Sequence, residues 1–287
     1  MANFQIPWWG KILAKICLSR LPISYDFWRK LGVFRHGEMD QFEYSIRIFE
    51  NHCIAADILS NMQGKHILEL GPGDSINSAI LASSNGARVT LIDSGSFANK
   101  DVAAYKKFAS YLTKKGLSAP DLTAAKNIED VLEICGALYF TDGRESFCKI
   151  RDNSVHLIFS QAVLEHINKY EFQSMMEECY RVLVPGGKAS HRIDLRDHLG
   201  GALNNLRFSE KLWESKFFSS SGFYTNRLRW PEFLESFNNA SFKEVKSELE
   251  KWDTLPTRYQ DLNESFKSFS EKDLLVKGAN IILIANK

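Results

Sequence analysis

Residues Ile67–Ser75 read ILELGPGDS: a short apolar run breaks into a loop with two glycines, a proline, an aspartate and a serine. A sharp turn after a strand, with glycines that let backbone approach a ligand and a helix whose free N–H groups face it, is a general nucleotide-binding device. Gly71 and Gly73 supply the permissive backbone, and Asp74 or Ser75 can cap a helix starting near Ile76. A G-x-G alone is equally compatible with a structural turn.

The next strand strengthens the ligand reading. VTLID ends at Asp93, 20 residues beyond Gly73, where an acid accepts both hydroxyls of a ribose; the competing reading makes Asp93 a turn cap. A dinucleotide site prefers G-x-G-x-x-G, but GPGDSI carries Ile76 at the last position. S-adenosylmethionine has no pyrophosphate and tolerates the bulkier residue. Its amino acid end needs an acid for the ammonium and amides for the carboxylate, which Glu69, Gly71 and Gly73 provide.

Outward from this loop, HILEL, RVTLID, ALYFT, VHLIFS and KASHRIDL read as strands alternating with amphipathic stretches. That alternation implies a parallel sheet built from crossover units. RWPEFLESFNN, FKEVKSELE and NIILIANK add a helix and two last strands. Residues 1–60 read as helical segments broken at Pro22, Gly32 and Gly37, giving an N-terminal helical cap (1–60) before a catalytic domain (61–287).

LELGPGDS, VTLID, DNSVHLIFSQAVLEHI and RVLVPGGK follow one another as in class I S-adenosylmethionine-dependent methyltransferases, which the stretch from Gly64 to Asp194 resembles. The resemblance implies an α/β, Rossmann-like, mainly parallel seven-stranded sheet with an antiparallel terminal strand. It also implies that Glu69, Gly71 and Gly73 hold the methionine moiety and Asp93 the ribose. Asp142 and Gly143 then sit at the adenine, and Ser160 and Gln161 line the cofactor after the fourth strand. Ser75 departs from the common third glycine of the first motif, and TDGRES is a loose match at the adenine. FWRKLGVFRHGEMD and SHRIDLRDHLGGALNNLRFSE look like segments of methyltransferase-domain proteins from bacterial surface-polysaccharide and other biosynthetic gene clusters, implying a glycan or small-molecule acceptor.

Methyl transfer from a sulfonium is an in-line displacement in which alignment and exclusion of water matter most. A hydroxyl nucleophile gains from a base. HRIDLRDHL, at the end of the fifth strand, offers His191, Asp194, Asp197 and His198 near the sheet's ligand edge. His191 is the preferred base, with Asp194 orienting a substrate hydroxyl or a histidine, and His198 is the competing base; His166 in LEHI lies just beyond the fourth strand. Strand alternation sets His191 and Asp194 on opposite faces, and the same charges could instead pair with Arg192 and Arg196. The same cluster could instead bind a divalent cation through its histidines and carboxylates, but no ligand spacing marks such a site and no metal is assigned. FYTNRLRW (223–230) and FWRKLGVFRHG (27–37) combine aromatic rings with arginines, as an acceptor pocket or as packing between cap and core.

With 36 Lys+Arg against 35 Asp+Glu, the chain has no broad field for nucleic acid. The five cysteines lie far apart without zinc or redox spacing, which fits buried thiols in the cytoplasm. IPWWGKILAKICLSRLP is too short to span a bilayer and is interrupted by Lys11 and Lys15. It reads as an amphipathic helix, either packed on the protein or touching a membrane interface. The oligomeric state is left open. Two other functions share the loop: a noncatalytic adenosyl-ligand sensor, and a nicotinamide-dependent oxidoreductase, which Ile76 disfavours.

Overall fold

The computed structural model describes residues 7–19 and 38–287. The breaks expected at Pro22, Gly32 and Gly37, the FWRKLGVFRHG stretch, and the side chains of Leu13, Lys15 and Cys17 lie outside the described residues.

Seven strands form one sheet: β1 (His66–Leu70), β2 (Arg88–Ile92), β3 (Leu138–Phe140), β4 (Val155–Gln161), β5 (Leu183–Asp194), β6 (Phe242–Lys251) and β7 (Val276–Ala285), in the order β3-β2-β1-β4-β5-β7-β6. The first five run parallel, and β7 is antiparallel to both β5 and β6. β5 begins earlier than KASHRIDL suggests. Its register on β4 jumps from Val155–Leu183 to Leu157–Lys188, so the Pro185–Gly187 turn is looped out of the ladder before the strand resumes. Pro cannot donate to a ladder, and Gly186 takes a positive φ of 75°, which explains the interruption.

Period-2 alternation divides the strands between two cores. Ile67, Val89, Leu91 and Phe159 pack beneath α2 (Phe42–Ala55), α3 (Asn77–Ser84), α4 (Val102–Lys114) and α5 (Ile128–Ile134), meeting Phe49, Ile80, Phe108 and Val131. Leu68, Leu70, Ile158 and Ala189 face the other way, toward α6 (Phe172–Val182) and α7 (Trp230–Asn239), meeting Met176, Phe233 and Phe237. Both faces are covered, so the central strands are apolar almost throughout.

The order of strands reverses between β1 and β4, and ligands of open α/β sheets bind at the carboxyl ends of strands on either side of such a switch. The Gly71–Gly73 turn leaves β1 there, and the Ala162–Val163 turn leaves β4.

The N-terminal helix α1 (Trp8–Ser19) buries Ile12 and Ile16 against Leu199, Trp213, Phe218 and Phe223 of the long insertion between β5 and α7. Trp9 is exposed, while Trp8 packs edge-on against Phe208. α2 lies on the sheet itself, with Phe49 and Cys53 inside the first core. Among the described residues no helix is long and apolar enough to cross a membrane. Cys53, Cys135 and Cys179 are buried free thiols and Cys148 is exposed.

Candidate active site at the sheet's switch point

Two glycines in the left-handed region shape the first turn, Gly71 at φ 66° and Gly73 at φ 64°. Ser75 rather than Asp74 supports the helix that follows, its Oγ accepting the Asn77 amide at 3.1 Å. The Gly73 amide donates to Asp93 Oδ2 at 3.0 Å, and the Ser94 amide donates to Oδ1 at 2.7 Å. The two residues singled out by spacing therefore meet at one place. A carboxylate has about four acceptor positions, so two remain after these bonds, enough for a pair of vicinal hydroxyls. Burial pushes the Asp93 carboxyl up to about 6, against the pull of the two amides.

Glu69 points from β1 toward α3, where Ser78 sits. It is buried, its Oε2 has no hydrogen-bond partner, and burial pushes its carboxyl up to about 8, with Ser78 opposing and Asp93 adding. An orphaned buried carboxyl oxygen is the sort of group that a ligand cation completes. Asp142 and Gly143 adjoin this point from the end of β3, since the Gly143 amide donates to the Asp93 carbonyl at 2.8 Å. Asp142 Oδ2 accepts from Lys149 Nζ at 2.9 Å. Glu69, Gly71, Gly73, Asp93, Asp142 and Gly143 thus gather toward the carboxyl ends of β1, β2 and β3.

Ser160 and Gln161 divide. Ser160 is buried with its Oγ bonded to His191 Nδ1 at 2.8 Å, so its side chain serves the interior. Gln161, on the opposite face, reaches His52 Nε2 at 3.3 Å and Tyr44 Oη at 3.5 Å. His52 itself stacks on Phe159 and bonds Ser190 Oγ at 2.7 Å through Nδ1; burial holds its pKa down at about 4. Sequence reasoning missed Tyr44 and His52. The available signal was a histidine on the α2 face that also carries Ser45, Ile48 and Phe49, because a polar ring in an apolar stripe needs a bonded partner.

The turn after β4 is strained. Ala162 adopts φ 54°, a region that costs a non-glycine residue of order 1–3 kcal/mol. This turn presents Val163 to Gly71 so closely that a Cβ at residue 71 would lie 2.5 Å from Val163 Cγ2. Gly71→Ala therefore meets both a left-handed backbone and a stiff β-branched neighbour. Urea unfolding is expected to report a loss of about 2 kcal/mol, and unchanged stability would contradict the packing described.

The residues expected to supply a base separate as well. His191 is 1% exposed, with Nδ1 bonded to Ser160 and its ring stacked 6.4 Å from Phe237. Burial drives its pKa down to about 3. It faces the α6–α7 core, away from solvent, and its placement does not suit proton exchange with an acceptor. Asp194 is engaged by Arg196, whose Nε and Nη2 donate at 2.9 and 2.7 Å. Asp197 organises the next loop by accepting the amides of Leu199, Gly200, Ala202 and Asn204. His166 and His198 do come together, their ring centroids 4.7 Å apart, beside Glu165.

The FYTNRLRW segment is packing rather than an open pocket. Phe223, Tyr224, Arg227 and Arg229 are all buried; Arg227 lies over the rings of Trp213 and Phe266, and Arg229 donates to main-chain carbonyls. Arginine stems pack along apolar surface as well as carrying their charge.

A methyltransferase-domain family profile matches residues 68–190, the segment that contains the glycine turn, Asp93, Asp142 and the β4 turn. No curated protein sequence matches the chain significantly. Among solved structures, an S-adenosylmethionine-dependent methyltransferase from Methanosarcina mazei is 16% identical, covering 77% of this chain and 92% of its own, with a TM-score of 0.44. One from Mesorhizobium loti is 15% identical over 79% of this chain and 96% of its own, at 0.41. An arsenic(III) methyltransferase from Chlamydomonas reinhardtii is 15% identical over 79% and 64%, at 0.44. Likeness at this level does not bear on the acceptor. The match, falling on a strand-turn-helix with an acid at the end of the next strand, shows a methyltransferase domain in residues 68–190.

Proposed function

We propose that the enzyme O-methylates a saccharide-containing or other small hydroxylated acceptor, working in the cytoplasm as in the biosynthetic clusters its sequence resembles. When bound, S-adenosylmethionine supplies an electrophilic methyl group on a sulfonium. Glu69 and the Gly71–Gly73 amides would hold its amino acid end, Asp93 its ribose, and Asp142 with Gly143 its base. The observation that carries this reading is the direct Gly73–Asp93 hydrogen bond, which makes one surface of two motifs.

The acceptor would approach beside the β4 and β5 ends, where Glu165, His166 and His198 gather polar groups suited to an oxygen losing its proton. Helix α1 and the insertion it packs on would form the lid of that side. The near balance of charge favours a neutral or weakly charged acceptor over a polyanion. Incubation with isotopically labelled methyl donor and a panel of sugars and small alcohols tests the reading; label on nitrogen, carbon or sulfur would refute O-methylation.

Glu69 gives a second, independent handle. A carboxyl held at about 8 is mostly protonated at pH 7, and an ammonium set against it pulls that value down. Binding of S-adenosylhomocysteine at pH 7 should therefore release about one proton, seen as a dependence of binding enthalpy on buffer ionisation that Glu69→Gln removes. In the free protein the sign follows from the same shift. Glu69 favours the folded state fully below its unfolded value of about 4.3, and that contribution is lost as pH rises through about 8.

A further inference from the structure

Glu165, His166 and His198 each bring a ligand atom to within 4.8 Å of the others. Glu165 and His166 lie in the single 3₁₀ turn after β4, and His198 in the loop after β5, so two adjacent strand ends converge on the point. We propose that these three residues bind a divalent cation of the zinc type. The ion's existence does not depend on the function proposed above; only its use, beside the acceptor, rests on that reading.

Glu165 supplies the strongest reason. It is 2% exposed, its Oε1 accepts the Asp194 amide at 3.3 Å, and its Oε2 is buried without a hydrogen-bond partner. A carboxylate oxygen left unpaired in the interior is costly, and a cation at this point removes the cost. Asn226 fixes the turn that carries it. The Asn226 amide donates to the Glu165 carbonyl at 2.7 Å, and its side-chain amide donates to the carbonyls of Leu164 and Ile167.

His166 is oriented in the manner of a metal ligand. Its Nδ1 lies 3.0 Å from the Tyr224 carbonyl, which only accepts, so Nδ1 is a donor and Nε2 is the ligating atom of the neutral ring. A backbone carbonyl holding the far nitrogen is the usual outer support of a ligating imidazole. His198 stands edge-on to His166 and close enough to Asp194 for their charges to interact.

Two imidazoles and one carboxylate suit zinc and neighbouring transition ions better than magnesium or calcium, which prefer all-oxygen shells. Ligands bound to zinc at about 2.1 Å in a tetrahedron lie about 3.4 Å apart, so the three side chains must close in slightly. His166 is exposed and His198 half-buried, and an ion held there leaves at least one position for water or an acceptor oxygen.

The full chain, freed of metal with a chelator, is titrated with Zn2+ alone by calorimetry and with Co2+ by visible absorption. One saturable equivalent is expected, with Co2+ giving the ligand-field bands of a low-coordinate site. His198→Ala should weaken Zn2+ binding by at least about tenfold and abolish those bands, while S-adenosylhomocysteine still binds. Glu165→Gln should do the same; His198, being half-buried, gives the safer variant if Glu165→Gln fails to fold. Absence of saturable binding, or binding unchanged in His198→Ala, would overturn the site. Metal binding by a chain that binds no S-adenosylhomocysteine would support it while refuting the cofactor surface described above.

Discussion

Asp93→Ala is expected to weaken S-adenosylhomocysteine binding by about 100-fold, the equivalent of two hydrogen bonds to a charged acceptor at about 1.5 kcal/mol each. The loss has two sources. The carboxylate would no longer receive the ribose hydroxyls, and the Gly73 amide, which now donates to Oδ2 at 3.0 Å, would lose the partner that fixes the turn. Asp93→Asn separates them, because its side-chain oxygen can keep the Gly73 bond while the charge is gone. Titration calorimetry should rank wild type above Asp93→Asn and Asp93→Ala last. An Asp93→Ala protein that binds the ligand as tightly as wild type would be incompatible with the assigned cofactor surface.

The second large effect concerns stability. Arg229 is 1% exposed and ties the end of β5 to the start of β7, donating from Nη1 to the Leu195 carbonyl at 3.0 Å and from Nη2 to the Val276 carbonyl at 2.5 Å. Its own amide donates to Glu232 Oε2 at 2.8 Å, closing the first turn of α7. Burial lowers its pKa only to about 10, so it remains cationic at neutral pH. Arg229→Met preserves the stem but removes the donors to the Leu195 and Val276 carbonyls. At about 1–3 kcal/mol for each, the expected loss is about 3–4 kcal/mol, measured by chemical denaturation. Arg229→Lys should recover only part, since one ammonium cannot reproduce the fork of donors. Full stability in Arg229→Met would show that water replaces the guanidinium without penalty.

The meeting of the glycine turn with Asp93 was legible because its geometry is local. A strand, a glycine turn and an acid at the next strand's end are fixed by crossover spacing, and Gly73 and Asp93 meet as that spacing requires. The seven strands were legible too, although β5 starts before KASHRIDL, where Pro185 and Gly186 disguise it, and β7 starts at Val276, before NIILIANK. Acceptor chemistry was less readable. Alternation correctly separated His191 from Asp194, yet it could not say which face looks inward, and His191 turned out to join Ser160 in the α6–α7 core. Arginine beside aromatic rings likewise spells a sugar pocket and a buried strut in the same letters; Arg227 and Arg229 are struts. Nothing in the sequence marks Glu165, whose orphaned oxygen appears only once Asn226 and Asp194 close around it.

Val163 fills the space that any side chain at residue 71 would take, and the peptide at Ala162 is bent into a left-handed conformation to put it there. The two turns are geared together: residue 71 cannot move toward β4 without displacing residue 163, whose carbonyl in turn receives the amide of His166 at 2.8 Å. A push on either loop is therefore carried by direct contact to the other, through three residues and no intervening solvent.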